Sequence, residues 1–166
     1  MKLFLSFCIF AANLVLGQAA WAQSSTVTSQ LRAQRVEMLA GKTVFKPATE
    51  GKPGEVLEYS GTYRNGGAAA VDKLLATIPV PAGTTFIAGS AEPAQAQAST
   101  DGTRFAPMPL LRSVKQADGS ERKEPVPLAE YRALRWEIGT LAAGRSAVAS
   151  LRVRIDAPAA ITAVKP

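Results

Sequence analysis

The sequence predicts an all-β protein, a β-sandwich or barrel preceded by a cleavable secretory signal peptide. Three observations carry this reading. Apolar and polar residues alternate with period two over residues 56–64 and again over residues 151–156, the spacing of a sheet with one wet face. Glycine, proline and asparagine punctuate the chain at short intervals, and no apolar repeat at helical spacing is long enough for a core helix. Ahead of both, residues 1–22 have the three parts of an export signal in order.

Lys2 gives that signal its positive start, residues 3–17 its apolar run, and Ala20-Trp21-Ala22 the small residues that a peptidase accepts before Gln23. The run is shorter than the roughly 20 residues of a spanning helix, so no membrane span is expected after cleavage. Cys8 is the only cysteine and leaves with the signal, and the chain has no histidine. The mature protein therefore lacks a thiol nucleophile, a disulfide, the usual neutral-pH base and the common ligands of transition metals. No catalytic, cofactor-binding or metal-binding residue is assigned, and no cofactor is expected. Removing Lys2 lowers the formal net charge of +6 by one, which suits a basic, soluble surface. No block of consecutive basic residues points to a polyanion, and an exported chain is expected to have no nucleic-acid partner.

Residues 23–29 are polar and read as a flexible lead-in, with order beginning near Gln30 and one domain filling residues 30–157. The clearest strand covers residues 56–64, with Leu57, Tyr59, Gly61 and Tyr63 on the core face. Asn65-Gly66-Gly67 turns the chain through residue types that accept positive φ, and residues 71–79 return with Leu74, Ala76 and Ile78 inward. Pro79 and Pro81 stop the pairing because proline has no amide hydrogen; residues 84–88 form a short third element. In the proline-rich stretch 92–130, Thr100-Asp101-Gly102-Thr103 and Ala117-Asp118-Gly119-Ser120 read as hairpin tips, with short edge strands at residues 104–105 and 110–114. Leu134, Trp136 and Ile138 point inward before a turn over residues 139–144. Leu151, Val153 and Ile155 point inward on the last strand, with Arg152, Arg154 and Asp156 outward. Residues 158–166 are a tail.

Four segments together resemble one family: Pro53-Gly54-Glu55-Val56-Leu57-Glu58-Tyr59, Tyr63-Arg64-Asn65-Gly66-Gly67, Ile78-Pro79-Val80-Pro81-Ala82-Gly83-Thr84, and the run from Leu134-Arg135-Trp136 through Ala143-Gly144. In order and spacing they are similar to the bacterial conserved-repeat domain, over residues 31–156. The resemblance implies an immunoglobulin-like sandwich of surface and envelope proteins and carries over no catalytic residue. Members often occur as tandem repeats, whereas one copy stands here. It implies that Asn65 caps a turn and that Trp136 fills the core.

Glu121, Glu124 and Glu130 are the nearest approach to the paired carboxylates of a hydrolase, but arginine, lysine and proline surround them as in a solvated loop. Asp101 with Thr100 and Thr103, or Asp118 with Ser120, supply too few oxygens for calcium. An isopeptide bond would need Asn65, or Asp156 with Lys42 or Lys46. Trp136 points inward, leaving Phe86, Phe105 and Tyr131 as the aromatics available to stack on a sugar. Arg152, Arg154 and Arg135 share outward parity and could form a basic stripe. These features lead to a non-catalytic envelope protein, periplasmic or secreted, that binds or spaces an envelope protein or surface polysaccharide. A carbohydrate-binding module and a carboxylate-dependent hydrolase are the alternatives.

Overall fold

The alternation read in the sequence becomes, in the computed structural model, a set of antiparallel sheets. The structure describes residues 26–48 and 50–158; residues 1–22, expected to form a signal peptide, residues 23–25 and all but the first residue of the expected tail lie outside them. The strands are β1 (Val27–Leu39), β2 (Lys42–Pro47), β3 (Val56–Asn65), β4 (Val71–Pro79), β5 (Thr84–Phe86), β6 (Gln97–Ser99), β7 (Ala106–Pro107), β8 (Leu111–Lys115), β9 (Glu121–Pro125), β10 (Ala133–Leu141) and β11 (Ser146–Ile155). One 3-10 turn, Leu128–Glu130, is the only helical element among the described residues.

A five-stranded sheet has the order β2-β1-β3-β11-β5, a four-stranded sheet the order β4-β10-β6-β7, and β8 and β9 form a separate ribbon. The two larger sheets share one core. Leu57, Tyr63, Ala149, Leu151 and Val153 enter it from the first, and Ala76, Ile78, Ala98, Leu134 and Trp136 from the second. Burial of this apolar surface is the main force holding the layers together. The inward parity expected for β3, β4, β10 and β11 is what the burial pattern shows.

Where the chain goes between strands differs from the expectation. β4 pairs with β10, not with β3, so the chain crosses from one sheet to the other after Asn65. The physical reason lies in the turn itself. Gly66 and Gly67 do not adopt positive φ; instead the backbone passes so close to Thr26 that a Cβ on Gly67 would lie 2.9 Å from that side chain. Glycine is needed there for closeness, not for a left-handed bend.

Other boundaries also move. β1 begins at Val27, opposite Asn65, so residues 27–29 belong to the sheet and not to a flexible lead-in. The β1–β2 hairpin, turned by Ala40 and Gly41 in the left-handed region, and strand β9 were not anticipated. The first edge strand sits at Ala106–Pro107, just past residues 104–105, and the second at Leu111–Lys115. β10 continues to Leu141, which leaves a turn shorter than residues 139–144. Both aspartate-glycine hairpin tips are present, one joining β6 to β7 and one joining β8 to β9.

β1 and β11 flank β3 and are both antiparallel to it. They therefore run parallel to each other. Val27 lies beside Asn65 at one end of β3, while Arg154 lies beside Val56 at the other.

Candidate functional site

Several residues singled out in the sequence are structural. Tyr131 and Phe86 are buried, stacked on each other with ring centroids 6.0 Å apart, so neither is available to a ligand. The Tyr131 hydroxyl accepts a hydrogen bond from the Leu110 amide at 2.9 Å, which gives its polar end a partner inside the core. Trp136 points inward as expected, and its indole N–H donates to the Pro93 carbonyl at 2.6 Å.

Both aspartate loops use their carboxylates on themselves. Asp101 Oδ1 accepts from the Thr103 and Arg104 amides, each at 2.8 Å, and Oδ2 from Arg104 Nε at 2.9 Å. The Arg104 and Thr103 amides, in that order, hold the Asp101 carboxyl well below the ordinary carboxylate range. Asp118 is lowered in the same direction, by the Ser120 hydroxyl first. Among the described residues no group of three or more acidic side chains could hold a metal ion. Glu130 pairs with Arg112 at 3.1 Å and Glu124 with Arg122. Asp156 accepts the Thr85 hydroxyl and Lys46 pairs with Glu37, so these two candidates for an isopeptide bond have other partners, while Lys42 lies opposite Leu39 on the β1–β2 hairpin.

The three arginines separate. Arg152 and Arg154 lie on the five-stranded sheet, Arg152 paired with Glu58 at 2.9 Å. Arg135 lies on β10 in the other sheet. Parity says that a residue points outward, not from which layer.

Arg135 instead joins Phe105, the one proposed stacking aromatic that is not fully buried. Its guanidinium carbon sits 4.1 Å from the Phe105 ring centroid, and Nη2 donates to Gln97 Oε1 at 2.7 Å. Arg135 and Gln97 are cross-strand neighbours, and Gln97 in turn faces Pro107 on β7. A planar cation held on a ring and by an amide keeps one orientation.

Two open clefts lie on this face, one of them lined by Arg135, and Glu137 lines both. One, of about 560 Å³, is bounded by Gln95, Gln97, Pro107, Met108 and Arg135. The other, of about 610 Å³, is bounded by Asp72, Lys73, Leu75, Gly139 and Thr140. Both fall within the size range of ligand sites, roughly 300–1,000 Å³.

The second cleft has a backbone cause. Between Glu137 and Gly139 an extra residue enters β10, and between Gly139 and Leu141 an extra residue enters β4. Two bulges back to back bend the strands apart. Gly139 at φ +75° and Lys73 at φ +54° take left-handed conformations there, which costs a lysine about 1–2 kcal/mol. Asp72 Oδ1 accepts the Thr140 hydroxyl at 2.7 Å across the second bulge. The side chains of Glu137 and Lys73 have no hydrogen-bond or ion-pair partner among the described residues. Sequence reasoning missed both, although Glu137 follows Arg135 by two on a strand whose inward residues were recognised, the signal that could have found it.

Fold and surface thus define the class: an all-β protein of antiparallel sheets with open clefts of mixed apolar and charged lining on one sheet face. No family model, curated protein or solved structure matches the chain.

Proposed function

We propose that the chain is an exported, non-catalytic, immunoglobulin-like β-sandwich that works in the periplasm or outside the cell as a binding or spacing module of the envelope. The observation that carries the reading is the groove around Glu137, where charged side chains stand without protein partners beside a pre-oriented arginine. Binding sites keep such groups exposed because a ligand supplies the missing contacts. Export is supported by the order of charge, apolar run and small residues in the first 22 positions. The resemblance to the conserved-repeat domain supports the sandwich and the envelope setting. A carboxylate-dependent hydrolase draws no support from Glu124 and Glu130, each tied to an arginine.

Export is tested by sequencing the N-terminus of the protein recovered from the envelope or the medium, which is expected to begin at Gln23; retention of Met1 in the cytoplasm overturns it. For binding, a photo-reactive residue at position 75, beside the groove, is expected to give an adduct with an envelope component. The same residue at position 148, on the other sheet, gives none. Absence of any adduct at position 75 overturns the binding role.

A further inference from the structure

Resting on the binding-module reading, we infer that the groove takes a linear, uncharged polysaccharide, crossing the four-stranded sheet with Glu137 at its middle. Length is the first argument. Glu137 lines both clefts, and their linings together extend from Met108 beside β7 to Lys73 on β4. Four strands at about 4.8 Å spacing make that about 14 Å, which suits a chain of rings.

Charge is the second. Arg135 and Lys73 are matched by Glu137 and Asp72, so the groove has no net sign with which to select a polyanion or polycation. What it offers is interleaved donors and acceptors. The Arg135 guanidinium, the Lys73 ammonium and the Gln97 amide donate, while Glu137 and the second oxygen of Asp72 accept. A hydroxyl does both, and hydrogen bonds to charged partners are the stronger kind. Leu75, about half exposed, and Met108 add apolar surface for the C–H faces of sugar rings.

A peptide fits less well. Strand addition needs an unpaired backbone edge, whereas β10 and β6 form ladders on both sides under the groove. At the β4 edge, the Tyr63 hydroxyl already donates to the Thr77 carbonyl at 3.0 Å.

The test is affinity electrophoresis of the mature protein through native gels containing soluble β-glucan, xylan, galactomannan or dextran, with polygalacturonate as the acidic comparison. At least one neutral polymer is expected to retard the protein. Glu137→Ala should weaken that interaction at least tenfold with unchanged circular dichroism and melting temperature, Arg135→Ala should weaken it at least tenfold while keeping the folded circular dichroism spectrum, and Val148→Ser should leave it intact. No retardation by any neutral polymer, retardation that survives Glu137→Ala, or retention on polygalacturonate alone overturns the inference. A protein adduct at position 75 without polysaccharide retention defeats the inference and leaves the binding module standing; no adduct and no retention defeats both.

Discussion

Asn65 and Leu141 are 76 residues apart in sequence, yet the Asn65 side-chain amide donates to the Leu141 carbonyl at 2.9 Å inside the protein. The same nitrogen donates to the Ala69 carbonyl at 2.8 Å, and Oδ1 accepts the Gly67 amide at 3.0 Å. One fully buried asparagine thus fixes the crossing between sheets and pins the end of β10 to it. Asn65→Ala leaves two carbonyls and an amide without these partners. A loss of about 2–4 kcal/mol is expected, read as a lower urea midpoint with an unchanged slope; a midpoint equal to wild type would show that the crossing is held elsewhere.

Tyr131 belongs to the core and not to a ligand surface, and its hydroxyl is the test. Tyr131→Phe keeps the ring and its stacking on Phe86 but leaves the Leu110 amide unpaired. The expected cost is about 1–3 kcal/mol. Thermal unfolding should register it, while polysaccharide retention by the folded variant stays as in wild type.

Gly61 is required by the ring that lies over it. A Cβ at this position would meet Tyr63 Cε2 at 3.0 Å and its hydroxyl at 3.2 Å. Gly61→Ala is expected to cost about 1–3 kcal/mol through overpacking and to shift the Tyr63 hydroxyl off Thr77. Denaturation gives the first quantity and Tyr63 ring chemical shifts the second.

The Asp101 loop makes a pH prediction. Its carboxyl titrates well below the ordinary 3.8 in the folded chain, so on acidification the unfolded state takes up the proton first. The contribution to stability is complete above about pH 5 and is lost progressively as pH falls through the unfolded value and below. Asp101→Asn, which cannot titrate, should show a shallower fall in urea midpoint between pH 5 and pH 2.5; parallel curves would contradict the assignment.

How much of this was legible in the sequence depends on whether a residue's neighbours are local. Leu57 and Tyr63 on β3, Trp136 on β10 and Leu151 on β11 were readable because one face is covered and the other wet. β1 and β2 were not, because Leu31, Met38, Leu39 and Phe45 stay substantially exposed and polar residues appear on both faces. β9 is a charged segment, Glu121-Arg122-Lys123-Glu124-Pro125, that pairs with β8 by backbone alone and carries no apolar pattern. For the groove, Arg135 and Phe105 were noticed separately. Their contact depends on β7 lying next to β6, and β6 next to β10, a long-range fact. Lys73 escaped notice because its left-handed backbone is set by the bulge and not by its own side chain.

The parallel placement of β1 and β11 on either side of β3 has a mechanical meaning. Tension applied at Val27 and Ile155 pulls the two outer strands in opposite directions past the middle one. The load falls on both ladders in shear, so many hydrogen bonds must yield together and none can be peeled open singly from an end. Single-molecule stretching between these two points should therefore meet a higher rupture force than stretching across the β1–β2 hairpin. A domain that transmits strain in this way can serve as a link under traction.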